Sequence, residues 1–177
     1  QPMIFDDILL VFNGEIYNYK ELIHVEHLEC KTKSDSEVLI RLYQKYGFDF
    51  LNKLNGMFSF CIYDMKKELY FCARDRYGKK PFFYYFKDKK FIFSSSIKSI
   101  LNLLDYKPNL NKVAVSKYMQ YFVSFGEDTF YQDIYKLESA TYMIYEPNKP
   151  FELQKKKYYK INTYKAIKDE KQALNDI

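Results

Sequence analysis

The 177-residue sequence has few residues that form disulfides or bind metals, with two histidines and three cysteines, and it has no tryptophan. Cys30, Cys61 and Cys72 are few and odd in number and include no close pair, which argues against a disulfide framework and fits a reducing compartment. We therefore expect a cytoplasmic location. His24 and His27 lie near Cys30, but no fourth ligand is close in sequence, so the spacing does not predict a metal site.

Long apolar runs and blocks of like charge are also lacking. No apolar run approaches the length of a membrane span, and the lysines are scattered although the net charge is +5. The sequence therefore predicts neither a membrane nor a nucleic acid as partner. What is abundant is apolar: 47% of the residues are hydrophobic and 20% are aromatic. This composition predicts a globular domain with a sizeable core.

Helix signals and strand signals are both present. An apolar run at 8–12 ends at Asn13-Gly14, which indicates a buried strand followed by a turn. Asn18 is predicted to cap a helix over 19–25, and Ser34 with Glu37 forms a capping-box pattern before a helix that ends near Gly47. Two further helices are predicted over 97–104 and 111–122.

The middle of the chain is rich in predicted strands, which cover 57–63, 69–73, 82–86 and 91–95, with a further strand at 142–145. In the first of them both alternating faces are apolar. A half-solvated sheet would not show this pattern, so we expect a sheet packed between a second sheet and helices.

Two short segments have both a structural and a functional interpretation. Asn13-Gly14-Glu15 has the sequence of a hairpin turn, but a strand that ends in an amide, a glycine N–H and a carboxylate also suits an amide substrate. Asp35 either complements the dipole of its helix or binds a substrate ammonium group. The charged corner at 74–81 is interpreted as a tight turn in which Gly78 adopts unusual backbone angles.

Six motifs, in this order and at this spacing, resemble the asparagine synthetase family of class II glutamine amidotransferases. They are Gln-Pro-Met at 1–3, Phe-Asn-Gly-Glu-Ile-Tyr-Asn-Tyr at 12–19, Lys-Ser-Asp-Ser-Glu-Val at 33–38, Leu-Asn-Gly-Met-Phe-Ser-Phe at 54–60, Ala-Arg-Asp-Arg-Tyr-Gly-Lys-Lys-Pro at 73–81 and Phe-Ser-Ser-Ser-Ile-Lys at 93–98. Each motif alone is weak, but six in order are specific.

The resemblance implies an α+β fold, an Ntn-hydrolase-type sandwich of two antiparallel sheets between helical layers, incomplete at its N-terminus. Residues 1–152 would form the glutaminase domain, and 153–177 a linker and the first helix of a synthetase domain. In the family, an N-terminal cysteine thiolate attacks the glutamine amide, with its own α-amine as base. The Asn13 amide and the Gly14 N–H would form the oxyanion hole, while Glu15 and Asp35 would hold the substrate's α-ammonium group.

The family's nucleophilic cysteine, and the arginine that holds the glutamine carboxylate, precede its Gln-Pro-Met motif. We therefore expect this polypeptide alone to be inactive and to bind no cofactor, with ATP and Mg²⁺ belonging to the synthetase domain. Glutamine and that domain are the expected partners, and a homodimer stays open. Two alternatives also stay open: an amidotransferase acting on a sugar carboxylate in surface-polysaccharide synthesis, and a non-catalytic fragment that only binds a partner.

Overall fold

The computed structural model describes residues 1–161, which form two antiparallel sheets and four α-helices. The larger sheet has the strand order β1-β2-β3-β4-β8-β9 and the smaller one the order β6-β5-β7. The strands are β1 (Met3–Phe5), β2 (Ile8–Ile16), β3 (Gly56–Asp64), β4 (Leu69–Arg74), β5 (Phe83–Lys87), β6 (Lys90–Ser94), β7 (Ile134–Lys136), β8 (Thr141–Tyr145) and β9 (Leu153–Lys157). The helices are α1 (Tyr19–Val25), α2 (Asp35–Tyr46), a 3-10 helix (Gly47–Lys53), α3 (Ile97–Leu101) and α4 (Lys112–Tyr121).

The sheets and helices form successive layers, because β3 is apolar on both faces. One face, with Phe58, Phe60 and Ile62, packs against α1, α2 and the 3-10 helix in the main core. The opposite face contributes Cys61 to a second core shared with the smaller sheet. Ile100 of α3 covers the far side of that sheet. This arrangement confirms the predicted α+β sandwich. Within the described chain, no helix is long and apolar enough to cross a membrane.

Strand β2 does not end where the sequence analysis placed its end. It continues through Asn13 and Gly14 to Ile16 and pairs with β3 over its whole length. The predicted turn at Asn13-Gly14 is therefore wrong. The glycine is needed for another reason: a Cβ atom at Gly14 would lie 2.1 Å from the carbonyl oxygen of Met57 on β3. Close approach of two backbones, rather than a change of chain direction, selects glycine here.

The predicted capping box of α2 is only half confirmed. The Ser34 hydroxyl accepts a hydrogen bond from the Ser36 N–H at 3.2 Å, as an N-cap residue does. The buried Glu37 carboxylate does not return to the cap. It accepts from the N–H groups of Lys31 at 2.8 Å and Thr32 at 2.6 Å, so it orders the loop that leads into the helix.

Asn18 precedes α1 as predicted, but its side chain does not cap that helix. Its Nδ2 donates to the carbonyl of Lys53 at 3.0 Å, and its Oδ1 accepts from the N–H of Asn55 at 2.9 Å. The amide thus ties the start of α1 to the segment between the 3-10 helix and β3. These partners are more than 30 residues away in sequence, so local pattern could not reveal them.

The segment at 153–157, which the sequence analysis assigned to a linker, differs from that prediction. It forms β9, the edge strand of the larger sheet, with Leu153 opposite Tyr145 and Lys157 opposite Thr141. Its exposed Lys155, Lys156 and Lys157 look linker-like by composition, because an edge strand needs few buried side chains. The helix predicted near the C-terminus lies outside the described residues.

Candidate active site

The site residues predicted from the sequence lie at the end of β2, where the phase of the hydrogen-bond ladder decides which way each backbone group points. Asp75 lies on the side of β3 that faces away from β2. Its N–H donates to the Phe58 carbonyl at 2.8 Å, and its carboxylate accepts from the Phe58 N–H at 3.2 Å. Both polar backbone groups of Phe58 therefore point away from β2. Since Gly14 is opposite Phe58, the N–H and C=O of Gly14 point away from β3.

Beyond its pairing with β1, the outer edge of β2 carries three residues whose backbone groups point outward, and the first and third of them have partners. The Gln1 side-chain amide forms two hydrogen bonds with the backbone of Phe12, accepting from its N–H at 2.8 Å and donating to its carbonyl. The Ile16 N–H donates to the Asp35 carboxylate at 3.1 Å. Gly14 lies between them, and no side-chain or loop hydrogen bond within residues 1–161 uses its N–H. A backbone donor is therefore presented at this edge.

Asn13 presents its side chain beside that donor, on the face that looks toward the smaller sheet. It lines a cleft of about 270 Å³ together with residues of the chain start, β2, β3 and β6 and with the residues just before β5 and just after β6: Gln1, Val11, Phe12, Ser59, Phe60, Cys61, Phe82, Phe93, Ser94 and Ser95. The half-buried Asn13 amide makes no hydrogen bond to the residues described. An amide and a backbone N–H from adjacent residues can both donate to a developing oxyanion.

The two predicted carboxylates both lie at the C-terminal end of β2, next to these donors. Glu15 is exposed and projects from the same face of β2 as Asn13, since the two residues are two apart on a strand. Asp35 is half-buried and reaches the strand edge through its bond to Ile16. The structure thus brings Asp35 to the other three residues, and both carboxylates are charged groups suited to an ammonium.

Asp75 is a residue to which the sequence analysis gave no role. Its buried carboxylate accepts four backbone N–H bonds, one from Phe58 and three, each at 3.0 Å, from Tyr77, Lys79 and Lys80. It therefore joins the corner at 74–81 to the strand opposite Gly14. The available signal was an aspartate at the start of a glycine-containing turn, where side chains often bond to nearby N–H groups.

Of the cysteines and histidines, only Cys61 lines the cleft beside Asn13, and it is buried there. Cys61 and Cys72 are buried directly opposite each other, and burial raises the pKa of the Cys72 thiol. Burial, and then the nearby Glu37 carboxylate, raise the pKa of Cys30. His24 and His27 are exposed, and no three His, Cys, Asp or Glu side chains within residues 1–161 form a metal-type cluster.

Comparison with known proteins gives consistent matches. The family profile described as "Glutamine amidotransferase domain" matches residues 1–159. The chain is 43% identical over 172 residues to a putative glutamine-hydrolysing asparagine synthetase 2 of Methanocaldococcus jannaschii, covering 96% of this chain and 33% of that protein. It is 32% identical over 181 residues to glutamine-hydrolysing asparagine synthetase 1 of Bacillus subtilis, covering 98% and 28%. The chain therefore spans about a third of the length of these relatives.

Solved structures show the same fold at low sequence identity. The glutamine phosphoribosylpyrophosphate amidotransferase of B. subtilis, complexed with ADP and GMP, superposes with a TM-score of 0.57 at 15% identity. The superposition covers 90% of this chain and 32% of that one. This likeness supports the two-sheet sandwich and, at that identity, nothing about the chemistry.

Proposed function

The chain belongs to the glutamine amidotransferase domain family of asparagine synthetase-like proteins, and on that premise we propose that it binds glutamine at the outer edge of β2. In this proposal it is the glutaminase part of an ATP-dependent, glutamine-hydrolysing asparagine synthetase. The observation that carries the proposal is the outward-pointing Gly14 N–H with the Asn13 amide beside it.

The proposed reaction is amide hydrolysis through a thioester. A cysteine thiolate, supplied by the N-terminal nucleophile that the family resemblance implies, attacks the side-chain carbonyl carbon of glutamine. The electron pair of the C=O bond moves to oxygen, and the resulting oxyanion accepts hydrogen bonds from Asn13 Nδ2 and the Gly14 N–H. When the carbonyl reforms, the C–N bond breaks, and the leaving NH₂ group takes the proton that the α-amine of the cysteine received from the thiol, so ammonia departs. Water then hydrolyses the thioester to glutamate.

The proposed acceptor of the ammonia is aspartate activated by ATP and Mg²⁺ in the synthetase part. The support is that the relatives named above are called asparagine synthetases and are about three times as long as this chain.

A direct test of the glutamine site uses the isolated chain labelled with ¹⁵N. We expect saturable shifts of the Asn13 side-chain amide and the Gly14 N–H on addition of glutamine. If neither signal moves while others do, glutamine binds elsewhere.

We expect Asp35→Asn to raise the KM for glutamine about tenfold or more in a protein that carries this domain and its nucleophile. The reason is the loss of a charged hydrogen-bond acceptor for the substrate ammonium group, and such bonds are worth about 1.5–3 kcal/mol. The substituted amide keeps an oxygen for the Ile16 N–H, so the link between α2 and β2 survives. The assay compares glutamine-dependent with ammonia-dependent synthesis.

Asp49→Asn is the matched control, because Asp49 is an exposed acid in the first turn of the 3-10 helix. Its KM for glutamine should equal that of the wild type. If Asp35 serves only the dipole of its helix, Asp35→Asn instead costs about 0.3–1 kcal/mol of stability and leaves KM unchanged. A melt on the same preparations decides between the two roles.

The 177-residue polypeptide assayed by itself should release no glutamate from glutamine above a no-protein control. Cys61 and Cys72 lie in the core between the sheets, and the pKa of Cys30 is raised rather than lowered. A reactive cysteine needs the opposite, an accessible thiol with a depressed pKa. Glutamate release that disappears when one of these three cysteines is changed to serine would contradict this prediction.

A further inference from the structure

A second polar pocket, of about 290 Å³, lies beside the corner at 74–81, away from the Asn13 cleft. Arg74 is opposite Ser59, and Ser59 is opposite Asn13, so the two sites are two strands apart, or roughly 9–10 Å at the usual strand spacing. The pocket is lined by residues of the corner, β7, β9 and their loops: Arg74, Tyr77, Gly78, Gly126, Lys136, Glu138, Ser139 and Lys157.

The positive charge of Arg74 is buried at the wall of this pocket, and the nearby Asp75 carboxylate acts on it through space without forming an ion pair with it. The guanidinium donates to three backbone carbonyls at 2.6–2.7 Å, those of Gly78, Lys80 and Leu137. These acceptors are neutral, and no carboxylate within residues 1–161 lies within ion-pair distance, 4.0 Å, of the group. A guanidinium has five N–H donors, so two remain for a ligand.

Two lysines add to this charge. The Lys136 ammonium contacts the carbonyl of Ser124 at 3.3 Å, and burial together with the charge of Arg74 lowers its pKa. Lys157 forms a long ion pair, 3.4 Å, with Glu138, the one acidic residue among the eight that line the pocket. Three cations face the carboxylate of Glu138 in the pocket lining, while the Asp75 carboxylate that acts on Arg74 is held by four backbone N–H groups, so positive charge is in excess around a partly desolvated space. Such charges are costly unless an anion neutralises them.

We propose that this pocket binds a small tetrahedral oxyanion, a phosphate or sulfate group, held by the free N–H donors of Arg74, the Lys136 ammonium and the Ser139 hydroxyl. The geometry of Gly78 supports this. A Cβ there would lie 3.0 Å from Cζ of Arg74 and 3.2 Å from Cβ of Ser139, so the absent side chain keeps these two groups accessible from one space. The proposal does not depend on glutamine binding at β2.

The test is a titration of the full chain with inorganic phosphate at constant ionic strength, followed by calorimetry and by ¹⁵N NMR. We expect saturable binding with shifts at Gly78 and Ser139. Lys136→Gln should weaken it about tenfold, because one charged hydrogen-bond donor is lost. Lys98→Gln, an exposed lysine on α3, is the matched control and should bind phosphate as the wild type does.

A parallel titration with glycerol phosphate identifies the source of the group. If glycerol phosphate and inorganic phosphate bind with equal affinity, the ligand is free phosphate. If glycerol phosphate binds at least tenfold more tightly, and Lys136→Gln still weakens its binding, the ligand is a phosphate monoester. The proposal is overturned if phosphate produces no saturable change, or if chloride at equal ionic strength produces the same shifts. It is also overturned if Lys136→Gln and Lys98→Gln weaken binding equally, since that result describes general attraction by the surface charge.

Discussion

Replacing Asn13 with alanine should lower glutamine-dependent kcat by about a hundredfold or more, because one oxyanion donor is typically worth about 2.7–4 kcal/mol. The KM for glutamine should change much less, since the donor acts on charge that appears in the transition state. Synthesis fed with ammonia should be nearly normal, because it bypasses amide hydrolysis. The measurement needs both activities on one preparation of a protein that carries this domain and its nucleophile.

The effect of this substitution is easier to interpret in a strand than it would be in a turn. Asn13 lies within a paired strand, and its amide makes no hydrogen bond to the described residues, so its removal leaves no buried group unsatisfied. Asn18→Ala is the matched control, because that amide holds both Lys53 and Asn55. We expect Asn18→Ala to cost about 1–2 kcal/mol of stability and to reduce both activities together.

Two results would contradict the assignment of Asn13. Glutamine-dependent turnover that stays within a few-fold of the wild type would show that the Asn13 amide is not the oxyanion donor. A parallel fall in both activities, accompanied by a lower melting temperature, would show that the residue acts through folding. In the second case the candidate donor that remains at this edge of β2 is the Gly14 N–H.

Replacing Gly14 with alanine should destabilise the chain by about 3 kcal/mol or more, which is at the upper end of the effects of overpacking. The new Cβ would lie 2.1 Å from the Met57 carbonyl oxygen and 2.7 Å from the Phe58 Cα, and both are backbone atoms that no side-chain rotation can move. Relief requires β2 and β3 to separate at the point where the candidate donor lies. Denaturant unfolding of the 177-residue chain measures the loss.

Gly126→Ala is the control for the backbone conformation alone. Gly126 has a positive φ of +62°, but no atom lies within 4 Å of the position that a Cβ would occupy. Its replacement should cost only the strain of that conformation, about 1 kcal/mol. Equal losses for the two variants would refute the close approach of β2 and β3 as the reason for glycine at position 14.

Much of the fold could be predicted from local pattern. Apolar periodicity and residues with strong positional preferences predicted the four strands in the middle of the chain. They also predicted the helix that begins after Ser34 and its end at Gly47. The two-sided apolar pattern of β3 also predicted the layers correctly, because a strand with no polar face must be covered on both sides.

The elements that were missed have weak local signals. Strands β1 and β7 have three residues each, and β9 is mostly lysine, so none has a period long enough to recognise. Their backbone pairs with neighbours that are distant in sequence or lie across a turn. Asn18 and Glu37 show the same limit for side chains, since each matched a local cap and bonds elsewhere.

For the candidate site, the sequence alone determined which residues we propose for the chemistry: an amide, a glycine N–H and two carboxylates, in motifs whose order indicates the family. Only the tertiary structure decided how they are presented. Gly14 turns its N–H outward because Asp75, 61 positions later, engages both polar backbone groups of the opposing Phe58. In an antiparallel ladder this sets the direction of each neighbouring N–H. The direction of each N–H therefore depends on which strands pair and in what register. Strand pairing joins segments that are distant in sequence, and local sequence pattern does not reveal it.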